Sequence, residues 1–187
     1  MGDGHFNIVE KFIRVLCATF LISVIVLGTS ACTILHVIEK DYPQYLANNT
    51  GASKLPKTDK ASKYVLTPNT EQHSYEFRAA VSGLANLWIV EFGKMLDDTL
   101  MSTDVQKAFG TLQKVSSTSS NSESLLIFDL QSYTFKNYGA HLSLKVSLSR
   151  SGQVVFSKTY RQDGKAQVGK MLAGGVFAQK NAVQQST

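Results

Sequence analysis

The chain has 187 residues, 43% of them hydrophobic and 18% charged, with a formal net charge of +5. That length suits one domain with extensions, and that composition excludes a disordered chain. The basic residues are spread singly, with no block of like charges and no basic stripe interleaved with aromatics. No nucleic-acid partner is therefore expected, and the surplus fits a solvated surface, anionic head groups or an acidic partner.

The first 14 residues end in Lys11 and Arg14. Val15 to Leu27 is an uncharged apolar block, followed by Gly28-Thr29-Ser30-Ala31 and then Cys32. This is the basic, apolar and small-residue order of a secretory signal, which assigns 1–31 to a signal peptide cut between Ala31 and Cys32. A rival reading stays open: Val15 to Leu35 carries no charge and is long enough to serve as an uncleaved membrane anchor. Of the two cysteines, Cys17 and Cys32, only Cys32 survives cleavage, so the exported body can hold neither a disulfide framework nor a thiolate metal site.

Residues 32–62 read as the cysteine followed by a flexible tether, because the stretch carries prolines, lysines and small polar residues without an apolar period. Residues 63–187 read as an α+β domain. Lys63 to Pro68 is predicted as a short strand ended by its proline, and His73 to Val81 as a second. Gly83 to Leu100 is predicted as a helix capped by Ser82, since Ala85, Trp88, Phe92, Met95, Leu96 and Leu100 recur at helical spacing. That stripe reads first as core. Its alternative is a lipid or partner contact through Trp88, Phe92 and Met95. Ser102 to Val115 should add a helical turn and a strand, and Ser116 to Ser124 a polar loop.

Leu125 to Phe135 has the β-branched and aromatic content of a central strand. His141 to Ser149 alternates, with Leu142, Leu144, Val146 and Leu148 on one face. The following run places Val154, Phe156 and Tyr160 at the same parity. A half-buried antiparallel hairpin with a three-residue loop, Arg150-Ser151-Gly152, would pair Leu148 with Val154 and Leu142 with Tyr160. The last residues, from Gly174, look like the opening turns of a helix, either short and frayed or the start of a longer one.

Chemistry is sparse. His36, His73 and His141 have no partner at ligand spacing, and no metalloprotease, nucleophile-elbow, phosphate-loop or dinucleotide motif occurs. Asp97 and Asp98 are adjacent, which on a helix points them apart. Asp129 sits inside a strand. No enzyme activity, metal or cofactor is expected.

The small residues before Cys32 resemble a bacterial lipobox. The resemblance implies that Cys32 is lipidated and that the chain is sorted to the outer membrane, facing the periplasm, since Thr33 is not the aspartate linked to inner-membrane retention. Downstream, three pieces resemble the auxiliary lipoproteins of ABC-type lipid transporters and the YajG-like lipoproteins. They are Lys63–Pro68 as first strand, Leu87–Leu100 as a Trp-bearing helix, and Phe128–Tyr160 leading to the helix start at Ala178. Together they span about two-thirds of the chain. The likeness implies an antiparallel sheet with helices on one face. It also implies a non-enzymatic component of lipid traffic or envelope assembly, whose partners are the membrane, through Cys32, and other envelope proteins. A lipid carrier with a pocket between helix and sheet is the alternative.

Overall fold

A computed structural model of the chain describes residues 33–51, 57, 62–78, 83–117, 124–165 and 177–187. Met1–Ile34 and Leu35–Thr187 form two separate units. Of the first, Thr33 and Ile34 are described.

The fold is α+β, with two sheets and several helices. After β1 (Ile34–Val37) come a 3-10 turn over Ile38–Asp41 and α1 (Tyr42–Asn48). The expected flexible tether is therefore corrected over Ile34–Asn48, where Ile38 and Tyr42 are each 1% exposed and belong to the core, while 52–56 and 58–61 lie outside the described residues. Ile38, Tyr42, Tyr45 and Leu46 fall four, seven and eight residues apart, so one helical stripe faces inward. Pro43 stands in the first turn, where its missing N–H costs nothing.

β2 (Ser62–Leu66) follows, then a short helical turn α2 (Pro68–Glu71), β3 (Ser74–Phe77) and β4 (Asn86–Glu91). α3 covers Phe92–Met101 and α4 covers Thr103–Phe109; β5 is Leu112–Lys114. The helix expected over Gly83 to Leu100 is thus half strand. Asn86 to Glu91 pairs antiparallel with β3, Trp88 opposite Phe77 and Val90 opposite Tyr75. Trp88 and Val90 are buried while Leu87 and Ile89 are only partly so, the period of two that a sheet imposes. Trp88 therefore lies on a strand, and Ser82 lies outside the described residues.

Three long strands complete the domain: β6 (Leu125–Lys136), β7 (Gly139–Arg150) and β8 (Gln153–Lys165). They form a five-stranded sheet in the order β5-β2-β6-β7-β8, beside a smaller sheet in the order β1-β4-β3. β6 is central, as its composition predicts. The large sheet is mixed, not purely antiparallel, because β2 runs parallel to both β5 and β6. Tyr64, Val65 and Leu66 of β2 are all buried, as expected for a parallel strand covered on both faces. One bulge, between Leu130 and Ser132, shifts the inward parity of β6, so that Phe128, Leu130 and then Tyr133 face the core.

The β7–β8 hairpin forms, but with another register. Its turn is the two residues Ser151 and Gly152, at φ 49° and 80°, the left-handed pair of a type I′ turn. A bulge at Val155 then restores parity, so Leu148 meets Phe156 and Leu144 meets Tyr160, while Val154 falls opposite Ser149. Nor is β8 half-buried: Val154, Val155, Phe156 and Tyr160 are 46–60% exposed. Finally, α5 (Phe177–Ser186) is docked, not frayed. Ala182 and Val183 are fully buried, and Gly164 of β8 approaches so closely that an added Cβ would lie 1.7 Å from the Ala182 carbonyl oxygen. Asn181 is exposed and Gln184 buried.

The core joins the apolar face of the large sheet (Tyr64, Phe128, Leu130, Tyr133, Leu142, Leu144) to Phe92, Met95, Leu96 and Leu100 of α3. Trp88 and Phe77 of the small sheet and Val183 of α5 complete it.

Candidate functional site

Ala31 and Cys32 lie outside the described residues. Trp88, Phe92 and Met95 are at most 1% exposed and are packed among aromatic rings. Trp88 stacks on Phe77 at 6.3 Å, and Phe92 lies 5.7 Å from Tyr133. Trp88 also lines the wall of a surface cleft.

The histidines are not brought together. His36 lies flat on Trp88 at 4.3 Å and shares a hydrogen bond of 2.7 Å between its Nε2 and Asn86 Oδ1. His73 stands edge-on to Phe92 and Tyr133; burial lowers its pKa from 6.5, because the charged ring would lose water. His141 pairs with Asp163 at 2.7 Å across the β7–β8 ladder. Among the described residues no three His, Cys, Asp or Glu side chains are grouped to hold a metal ion.

The carboxylates are structural. Asp97 accepts the Tyr64 hydroxyl at 2.6 Å and Lys114 at 3.3 Å, and Lys114 also reaches Glu71 at 2.9 Å. Asp98 has its pKa raised, first by burial and then by Glu39 and Asp97. Asp129 receives Thr67 Oγ1 at 3.2 Å and Gln131 Nε2 at 2.8 Å. That ties the end of β2 to the β6 bulge.

Two clefts are walled by the first and last elements of the domain. The larger, about 600 Å³, lies where α1, the α3–α4 junction and the end of α5 meet, with Tyr45, Leu46, Asp98, Ser102, Asp104 and Gln184 among its walls. Tyr42 bonds Thr99 at its base, 2.8 Å between hydroxyls, and burial pushes the Tyr42 pKa up to about 12. Its mix of hydroxyls, amides and carboxylates suits a polar chain better than an acyl tail. The smaller, about 340 Å³, is walled by Leu35, His36, Lys40, Asp41, Trp88 and Lys180. No sequence motif marks either cleft, because each is assembled from the first and last elements of the domain.

The other surface feature is β8. It is an edge strand of the large sheet among the described residues, and every residue from Gln153 to Asp163 is exposed. Four large apolar side chains and the cations Lys158 and Arg161 line it, with Lys158 5.1 Å from the Tyr160 ring centre.

No family model matches the chain, and no curated protein matches it. Among solved structures, it is similar to the crystal structure of protein XCC0632 from Xanthomonas campestris, described under the family model DUF330. The identity is 17%, the match covers 71% of this chain and 81% of that one, and the TM-score is 0.43.

Proposed function

We propose that the chain is a non-enzymatic envelope lipoprotein, held at Cys32 to the outer membrane, that serves as an accessory component of a lipid-transport or envelope-assembly machine. The small residues before Cys32 support the anchor. The docking role is carried by one observation: β8 offers unpaired backbone edge, four exposed large apolar side chains and two cations along one strand among the described residues. Native sheets normally blunt such an edge, and an exposed apolar row of this kind marks an interaction surface. An extended segment of a partner protein would add to this edge by backbone hydrogen bonds, its apolar side chains meeting Phe156 and Tyr160.

The anchor is tested by metabolic labelling with palmitate: the wild-type chain should take up label and Cys32→Ser should not. Uptake that survives the substitution would sink it. For docking, Val155→Asp with Phe156→Asp should abolish cross-linking of the membrane-bound chain to its envelope partner while leaving the melting curve intact, both side chains being exposed. Unchanged cross-linking would move the partner surface elsewhere.

A further inference from the structure

The second unit begins at Leu35, close in sequence to Cys32. Leu35 is three residues after Cys32, so the chain between them spans at most about 11 Å. A lipid on Cys32 would therefore keep Leu35, and the 340 Å³ cleft it lines, at the depth of the head groups rather than on a long leash. Leu35 is 61% exposed, and Leu84, 71% exposed, lies two residues before Asn86, the residue that bonds His36. Leu35 thus lines the cleft, and Leu84 stands exposed on the segment that leads into β4.

The charge of the cleft is suited to an anion. Lys40 is exposed and makes no ion pair among the described residues, while Lys180 pairs with Asp41. The Asp41 side chain is itself 63% exposed and able to swing away. Lys40 and Lys180 against Asp41 leave these walls with one more cation than carboxylate. Trp88 forms one wall, and its Nε1, buried, meets no acceptor among the described residues; a buried donor without a partner is costly. Indole rings and lysines are the side chains favoured where protein meets head groups.

We propose that this cleft receives the phosphate-bearing head group of an anionic phospholipid from the membrane that holds the chain. The proposal rests on the anchored reading above. Leu35 and Leu84 touch the acyl boundary, Lys40 and Lys180 meet the phosphate, and Asp41 releases Lys180 as the phosphate replaces it.

Trp88 is the only tryptophan in the chain, so its fluorescence reports on this cleft. The full-length protein is reconstituted in phosphatidylcholine vesicles with rising fractions of phosphatidylglycerol, either lipid being brominated high on its acyl chains. Quenching should saturate with brominated phosphatidylglycerol and stay weak with brominated phosphatidylcholine. The pair Lys40→Gln and Lys180→Gln should raise the half-saturating fraction about tenfold, whereas Lys145→Gln on β7, an exposed lysine, should not. Equal quenching by both lipids overturns the proposal, as does an effect of Lys145→Gln as large as that of the pair. A change in Trp88 emission produced by inorganic phosphate alone, in pure phosphatidylcholine, overturns it in favour of a soluble anion. Flotation separates the two levels: a chain that floats with vesicles but gives no selective quenching overturns the head-group site alone. A chain that floats with none overturns the anchor and the site together.

Discussion

Thr70 shows how much one hydroxyl can organise. It is fully buried in α2, just beyond the end of β2, and its Oγ1 accepts the Leu130 N–H at 2.7 Å. It also lies 2.8 Å from Thr67 Oγ1 and donates to the Phe128 carbonyl at 3.3 Å. The side chain thus takes over pairing to β6 after the β2 backbone has turned away. Thr70→Val keeps the shape and leaves Leu130 N–H without an acceptor, a loss of about 1–3 kcal/mol and about 2–10 °C in Tm. Thr70→Ser keeps the hydroxyl and should lose less; equal losses would show that the methyl, not the bond, matters. Asp98 works in the opposite sense. Its folded pKa is raised above 3.8, chiefly by burial. A group raised in this way is most favourable below 3.8 and becomes a liability as pH rises through its folded pKa. Asp98→Asn should therefore raise Tm at neutral pH, by on the order of 1 °C. The gap to wild type should close as pH is lowered towards 3.8. A gap that widens in acid would refute the assignment. Neither role is visible in the sequence, where Thr70 is an ordinary turn residue and Asp98 one of a pair on a helix face.

At the scale of elements, the readable parts were those with one dominant period. β7 alternates over a long run and β6 is marked by its β-branched and aromatic content, and the extents of both strands follow closely. β4 reads as helix because Ala85, Trp88, Phe92 and Met95 satisfy helical spacing across what is a strand joined to a helix. The rival signal was the unbroken Leu87-Trp88-Ile89-Val90, whose bulky side chains favour a pleated strand. Parity gave the right face relation for the hairpin and the wrong turn, since a bulge at Val155 supplies the odd residue that the loop was expected to supply. The docking of α5 was hidden for a different reason. Its inward side is Ala182, Val183 and glutamines, too weak a stripe to read, and what admits it is a glycine on another strand. Gly164→Ala places a methyl into the Ala182 carbonyl, so α5 must shift. The expected cost is about 1–3 kcal/mol, and hydrogen exchange should quicken over Gln179–Ser186. Gly152→Ala is the contrast: no atom lies within 4 Å of the added Cβ, but φ is +80°. It should cost about 1 kcal/mol without touching α5. Equal exchange in the two variants would mean that Gly164 is not the close approach that seats the helix.

At the scale of the molecule, the largest difference between sequence and structure is where the body begins. A boundary at residue 63 follows from the lack of a long apolar period before it. The second unit begins at Leu35, because the 3-10 turn and α1 contribute Ile38 and Tyr42 to a shared core. Ile38 and Tyr42 are 1% exposed, the Tyr42 hydroxyl is bonded to Thr99 of α3, and His36 covers the face of Trp88. Emptying buried sites of this size costs about 2–5 kcal/mol each. Removing them together approaches the whole stability of a typical domain, about 5–15 kcal/mol. A fragment covering 63–187 should therefore lose its cooperative melt and shift the Trp88 emission to the red, as solvent reaches a ring that His36 no longer covers. A fragment covering 33–187 should melt as one transition and keep the blue-shifted emission. If both fragments melt alike, the first elements are ornaments on a domain complete without them, and the tether reading returns. If they differ as expected, the head-group cleft is part of the fold, since Leu35, His36, Lys40 and Asp41 come from the segment that holds the core shut and Trp88 and Lys180 from the body it closes. Cutting that segment would then remove stability and cleft in a single step, whereas Lys40→Gln should alter the cleft alone.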